Sequence, residues 1–151
     1  MYITRYNSAI FIALLLCNIS FAISRNTIFK NDLTLWTDAS IKSPMKGRVH
    51  LYLSDALFNN KGLVDQALSE GQIANALLPN NEYILTGLGV IYFEKQLYSE
   101  ALGFVNKALE ITPSFFEALN LLGAIYIAQG QYDLAYGAYK RALSAHPNSS
   151  R

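Results

Sequence analysis

Apolar residues between Glu82 and Pro147 recur with the period of an α-helix, and the whole pattern is written twice. Leu85, Leu88 and Tyr92 follow one another at steps of three and four residues, which places them on one face of a helix. A second stripe of small and apolar residues runs from Ala101 to Ala108 and predicts a facing helix. The pattern therefore predicts pairs of helices, repeated along the chain.

The two copies cover residues 82–115 and 116–149, and every pair of equivalent residues is separated by the same distance along the chain. The matched positions are Leu88-Gly89 with Leu122-Gly123, Tyr92 with Tyr126, Ala101 with Ala135, Ala108 with Ala142, and Pro113 with Pro147. This period and pattern resemble the tetratricopeptide repeat (TPR), whose unit is about 34 residues long. Val105 departs from the pattern, because an aromatic residue is expected there and Tyr139 supplies it in the next copy. The resemblance implies an all-α fold, a solenoid of stacked helical hairpins.

Glycines within the predicted helices fall into two groups. Gly89 and Gly123 lie on the apolar faces, so we expect another helix to approach their backbones closely. Gly103 and Gly137 share a register inside second helices, and we expect them to face outward. Gly62 and Gly130 stand where first helices should end.

A third, weaker copy covers residues 48–81, and a helix over residues 25–47 aligns as half of a further, degenerate repeat. In the weaker copy, Ser54-Asp55 replaces the Leu-Gly pair. A carboxylate at a close helix crossing is costly if it is buried without a partner. We therefore expect either a splayed helix pair or a partner for Asp55 such as Arg48 or Lys61. The repeats together, residues 48–151, form the predicted TPR domain.

The segment Ser8–Ser24 is uncharged and mostly apolar, and its length reaches the lower limit for a membrane-spanning helix. Residues 1–24 are thus predicted to be a membrane anchor or a signal segment. Arg5 would form the positive region of a cleaved signal peptide, and Ser20–Ala22 its cleavage site. A buried helix is a third interpretation. We favour a single-pass anchor with the repeats on the exoplasmic side, periplasmic or luminal.

The composition and the motifs of the chain argue against several classes of function. The chain has 151 residues, 52% of them hydrophobic, and a net charge of +1, which argues against nucleic acid as a partner. It contains no phosphate loop, CxxC, HExxH or nucleophile-elbow pattern, so we predict no enzyme, no cofactor and no metal site. His50 and His146 are isolated, and we expect both at the surface. The sequence predicts no particular oligomeric state.

The TPR resemblance also implies where a partner would bind, because first helices of successive repeats line a concave groove in that family. Few charged side chains fall at these positions and none is Lys or Arg, which suits an extended peptide or an apolar helix better than an acidic C-terminus. The predicted partner-binding residues are Tyr52, Asn59, Asn60, Tyr83, Thr86, Phe93, Asn120 and Ile127.

Two functions fit these features. The first is a membrane-tethered, non-catalytic scaffold that binds a protein or peptide partner through its groove. The second rests on the order of parts: an apolar segment, a helix that carries Trp36 and ends near Pro44, and then repeats. This order resembles the tail of TPR-bearing O-mannosyltransferases, which are multipass membrane glycosyltransferases. It would make the chain a detached or truncated exoplasmic tail, active only with a catalytic part.

Overall fold

The computed structural model describes residues 31–60 and 62–145. Within these ranges the chain forms seven helices and no strand. They are α1 (Asp32–Lys42), α2 (Gly47–Phe58), α3 (Val64–Leu77), α4 (Glu82–Glu94), α5 (Tyr98–Ile111), α6 (Phe116–Ala128) and α7 (Tyr132–Ala145). The prediction of an all-α fold is confirmed. The proposed membrane segment, residues 8–24, lies outside the described residues, and none of these seven helices has the length and apolar character that a bilayer span requires.

The helices pack as three hairpins, α2 with α3, α4 with α5, and α6 with α7. Each hairpin also contacts the next one along the chain, and the first helices α2, α4 and α6 touch in succession. Helix α1 packs on α2, where Leu33 and Trp36 cover the cluster formed by Leu53, Leu57 and Ala67. The apolar stripes thus bury one another between neighbouring hairpins, as a repeat array requires.

The turn after the first helix of each hairpin contains a residue with left-handed backbone geometry. Gly62 has φ of 93° and Gly130 has φ of 73°, and both lie at the predicted turn positions. Gln96 occupies the equivalent place in the middle hairpin with φ of 59°. A non-glycine residue in this region is disfavoured because its Cβ crowds the following carbonyl. The tight turn therefore keeps its shape in the three hairpins even where glycine is missing.

Gly89 and Gly123 lie at close helix contacts, as predicted. A Cβ placed on Gly89 would lie 3.1 Å from Val105 Cγ2 and 3.1 Å from Leu121 Cδ2. A Cβ on Gly123 would lie 2.6 Å from Tyr139 Cζ. By contrast, a Cβ on Gly103 or Gly137 would meet nothing within 4 Å. The outward orientation of this second pair is also confirmed.

The first hairpin keeps its close packing although its Leu-Gly pair is missing. Ser54 is buried, and its hydroxyl donates a hydrogen bond to the Ala67 carbonyl at 2.7 Å. Gly71 faces this hydroxyl, since a Cβ there would lie 3.2 Å from Ser54 Oγ. Small residues on α2 and α3 therefore replace the arrangement that the other hairpins use, and the helices are not splayed.

His50 is buried, and the expectation of a surface histidine is wrong. Its side chain lies between two acceptors: Nδ1 is 2.6 Å from Glu70 Oε2, and Nε2 is 2.9 Å from the Pro44 carbonyl. These contacts join the loop before α2 to helix α3. Only 6% of His50 is exposed. His146 lies outside the described residues.

Candidate partner-binding groove

The first helices form one continuous surface, which we call the first-helix groove: the exposed faces of α2, α4 and α6. Helix α4 contacts both α2 and α6, so side chains that point away from the second helices share one side of the solenoid. The repeat produces this arrangement, because positions separated by one repeat lie at equivalent places on successive first helices.

A pocket of about 600 Å³ opens in this groove between α2 and α4. We call it the α2–α4 pocket. It is lined by Arg48, Leu51, Tyr52 and Asp55 from α2 and by Asn81, Glu82, Tyr83 and Ile84 at the start of α4. The backbone of α4 is fixed at this point, because the Asn81 side-chain oxygen accepts a hydrogen bond from the Ile84 amide at 3.1 Å.

Tyr52 and Tyr83 stand on successive first helices and line the same pocket. Tyr52 is 44% exposed and stacks on Trp36, with ring centroids 4.5 Å apart and planes at 25°. Tyr83 is 57% exposed and meets Phe115 edge to face, with centroids 4.9 Å apart and planes at 79°. Each ring is thus held by an aromatic neighbour while much of its surface stays accessible.

Asp55 also faces the pocket, and Arg48, one of its two predicted partners, forms no ion pair with it. The residue is exposed, and its Oδ1 lies 3.9 Å from where a Cβ on Gly87 would be. No ion pair among the described residues involves Asp55 or Arg48, and Lys61 lies outside the described residues. Desolvation against the neighbouring helix raises the pKa of the Asp55 carboxyl above its usual 3.8. This desolvation disfavours the charged form of the carboxyl group.

The space for Asp55 comes from an exchange of small and large residues between hairpins. In the second interface, Gly89 on α4 makes room for Leu121 on α6. In the first interface, Asp55 holds the position equivalent to Gly89, and Gly87 holds that of Leu121. At the first interface the larger residue, Asp55, is on α2 and the small one, Gly87, is on α4. No leucine side chain fills the space over Gly87, and this part of the groove is therefore open.

The other predicted groove residues are more dispersed. Asn59 and Asn60 are exposed at the end of α2, Ile127 is exposed near the end of α6, and Asn120 is half-buried. Phe93 is half-buried and packs against the main core cluster, with its ring centroid 5.7 Å from that of Tyr98. The α2–α4 pocket is lined by Tyr52 and Tyr83 but by none of these.

Thr86 does not reach the accessible surface of the groove, contrary to the prediction. It is only 6% exposed, and its hydroxyl has no hydrogen-bond partner among the described residues. Its helical register equals that of Tyr52 on the previous hairpin. The difference arises because α4 is covered by hairpins on both sides, so the same register is buried there.

Three charged residues of the pocket are not among the groove residues that the sequence predicts: Arg48, Asp55 and Glu82. The sequence indicates Asp55 only as a packing problem at the Ser54-Asp55 break. That break is nevertheless the available signal, because a charged residue at a position of close helix contact implies a local opening.

A second accessible apolar surface lies on α7. Tyr132 and Tyr136 are each 70% exposed, and Leu143 is also exposed. Their equivalents on α5, one repeat earlier, are half-buried against the main core cluster. This surface is separate from the residues that line the α2–α4 pocket.

The fold and this succession of hairpins define a TPR-type helical solenoid, and comparison with known proteins supports that class. Residues 116–149 match the family model of the tetratricopeptide repeat. The crystal structure of a thermophilic TPR protein in Thermus thermophilus is similar, with a TM-score of 0.70 and 22% identity over 78% of this chain and 65% of that one.

Two crystal structures of MamA are similar as well. Both have a TM-score of 0.66, with 20% and 21% identity over 76% and 78% of this chain. This chain covers 67% and 64% of their lengths, so it spans about two thirds of the structures it resembles. No curated protein matches the sequence. The resemblance to O-mannosyltransferase tails gains no support from these matches.

Proposed function

We propose that this chain is a non-catalytic scaffold that binds an extended segment of a protein partner in the first-helix groove. A membrane tether formed by residues 8–24 holds the repeats on the exoplasmic side. The TPR-type fold, found also in the solved structures above, supports the scaffold. Among residues 31–60 and 62–145, no three His, Cys, Asp or Glu side chains cluster as metal ligands would.

The observation that carries the groove proposal is the pair Tyr52 and Tyr83 in one pocket. Tyrosine supplies a large contact area and loses little side-chain entropy when it binds, which is why it is frequent among the residues that dominate interfaces. The stacked contact of Tyr52 with Trp36 and the edge-to-face contact of Tyr83 with Phe115 restrict both rings before any partner arrives. Such preorganisation lowers the entropic cost of binding.

The shape of the surface supports an extended partner. The pocket combines apolar, aromatic and polar side chains, and a peptide backbone needs both apolar contact and hydrogen-bond partners. Asn59 and Asn60 are exposed at the end of α2, outside the pocket lining. Side-chain amides can donate to carbonyls and accept from amides of a bound segment.

The groove can be tested with a display library of random peptides, screened against the whole 151-residue chain in detergent micelles. Selected peptides should bind the wild-type protein and lose at least about 30-fold in affinity when Tyr52 and Tyr83 are both changed to Ala, equivalent to about 2 kcal/mol. The control is Tyr136→Ala, an exposed tyrosine on α7 that should leave binding unchanged. Peptides that bind the double variant as well as wild type would place the site elsewhere.

The tether has its own test in the full-length protein. The uncharged, apolar segment Ser8–Ser24 should keep the chain in the membrane fraction with an intact N-terminus. Extraction by detergent but not by alkaline carbonate would support it. A soluble protein whose N-terminus begins at Ile23 would instead identify a cleaved signal peptide.

A further inference from the structure

The charges of the α2–α4 pocket are unbalanced. Asp55 and Glu82 contribute two carboxylates, and Arg48 contributes one guanidinium. None of the three takes part in an ion pair among the described residues. Among the described residues that line it, the pocket therefore carries a net negative charge.

The position of Asp55 makes its carboxylate available to a ligand. Its carboxyl group lies over Gly87, where the next hairpin carries Leu121. The absence of that leucine side chain leaves the pocket open between α2 and α4. Tyr52 and Tyr83 line the same space, so a ligand that reaches Asp55 also contacts aromatic rings.

We propose that the α2–α4 pocket binds a basic side chain of the partner segment, whose cation pairs with the Asp55 carboxylate between the rings of Tyr52 and Tyr83. This inference rests on the proposed function of the groove and adds a requirement for the partner sequence.

Three physical terms favour a cation there. A charge-assisted hydrogen bond to a carboxylate is about twice as strong as a neutral one. Aromatic faces attract cations, and a planar guanidinium can also stack on them. The desolvation that raises the pKa of Asp55 is offset when a positive charge approaches, because the charged carboxylate is then stabilised.

An anionic partner fits the same pocket less well. Arg48 could pair with a carboxylate, but Asp55 and Glu82 line the same space and would repel it. Arg48 lies two helical turns from Asp55 on the same face of α2. It can therefore bound the pocket at one end without neutralising the carboxylate at the other.

The test uses peptides selected from the library against the whole 151-residue chain in detergent micelles. Every selected family should contain Arg or Lys. For a selected arginine peptide, replacing that arginine with citrulline, which has a similar shape but no charge, should weaken binding to wild type about tenfold. The Asp55→Asn variant should lose about the same factor for the arginine peptide and bind the citrulline peptide as wild type does.

Controls separate pairing from general electrostatics. Glu94→Gln removes an exposed carboxylate at the other end of α4, outside the pocket lining, and should change the affinity of the arginine peptide less than twofold. Circular dichroism should show unchanged helix content in Asp55→Asn, because the residue is exposed.

Failure of this inference differs from failure of the groove proposal. Peptides that depend on Tyr52 and Tyr83 but tolerate citrulline and Asp55→Asn would overturn the cation site and leave the groove in place. Equal losses for arginine and citrulline peptides in Asp55→Asn would also overturn it, because the effect would then be structural. Peptides indifferent to the tyrosines, or a library without binders, would contradict both.

Discussion

Replacing Gly89 with alanine tests the helix contact that defines the repeat register, and Gly103 provides a matched control. Both residues lie inside helices, so an alanine improves the intrinsic helix propensity by about 0.8–1 kcal/mol at either site. What differs is the space that the new methyl group meets. The gain in helix propensity is therefore common to the two variants, and the difference between their stabilities measures the steric effect at Gly89.

The steric term follows from the distances. At Gly89 the new Cβ would lie 3.1 Å from Val105 Cγ2 and from Leu121 Cδ2, and both side chains are buried and cannot move freely. Overpacking of a filled core costs about 1–3 kcal/mol. At Gly103 the new Cβ meets nothing within 4 Å. Gly103→Ala should stabilise by roughly 0.5–1 kcal/mol, and Gly89→Ala should be about 1–3 kcal/mol less stable than that variant.

Urea unfolding followed by circular dichroism measures this difference from the shift of the transition midpoint. A second variant checks the cause: Val105→Ala removes both γ-methyl groups, including the Cγ2 that the new Cβ would contact. Combined with Gly89→Ala, it should cost less than the two single changes added together, by roughly 1 kcal/mol. Equal effects at Gly89 and Gly103, or strict additivity with Val105→Ala, would refute the assigned packing.

Three further predictions concern buried or desolvated polar groups. Ser54→Ala removes the hydrogen bond to a buried carbonyl on α3 and should lower the free energy of unfolding by roughly 1 kcal/mol in urea melts, whereas the exposed Ser144→Ala should not. Glu70→Ala leaves one ring nitrogen of buried His50 without its acceptor and should cost about 1–3 kcal/mol by the same assay. The pKa of Asp55 is raised in the folded protein, so the protonated carboxyl contributes to stability. This contribution is fully present below pH 3.8 and is lost as the pH rises through the raised pKa. Asp55→Asn should therefore gain stability over wild type at neutral pH but not near pH 3, and a constant difference between the two midpoints would contradict this.

The helical architecture can be predicted from the sequence because it follows from short-range residue patterns that recur along the chain. The repeat period sets the hairpins, and the turn register at Gly62, Gln96 and Gly130 follows from it. Gly89 and Gly123 are recognisable as contact points because glycine weakens a helix, and inside an apolar stripe it indicates that a neighbouring helix packs closely. In the structure the side chains of Val105 and Leu121 lie against Gly89, and the Tyr139 ring lies against Gly123. These features depend on neighbours three or four residues away.

Contacts between residues that are far apart in the sequence cannot be predicted in the same way. His50 looks isolated in the sequence because its acceptor Glu70 is 20 residues away on another helix. The α2–α4 pocket depends on Asp55 meeting Gly87 across two hairpins, and only three-dimensional register pairs those positions. Phe93 has the helical register of a groove residue, yet contact with Tyr98 draws it toward the core. Non-local contacts of this kind decide which exposed faces become sites.

The exchange at the two interfaces explains why the pocket occurs between α2 and α4. The Gly89–Leu121 pair fills the second interface, and the Asp55–Gly87 pair holds the same positions in the first. Neither position alone makes the opening, since an aspartate opposite leucine would clash and a glycine opposite glycine would offer no charge.

A double substitution should therefore convert the first interface into a copy of the second. Asp55→Gly with Gly87→Leu places a leucine over a glycine, which should fill part of the pocket with apolar side chain. Burial of a leucine contributes about 1.5–3 kcal/mol. The helix propensity gained at residue 87 is partly lost at residue 55, where glycine replaces aspartate inside α2. The burial exceeds this loss, so the variant should unfold at higher urea concentration. It should also lose affinity for the selected peptides. Gly103→Leu, at an open position, is the control for propensity alone. A double variant that is no more stable than this control, or one that still binds the peptides, would show that the small-for-large exchange does not create the site.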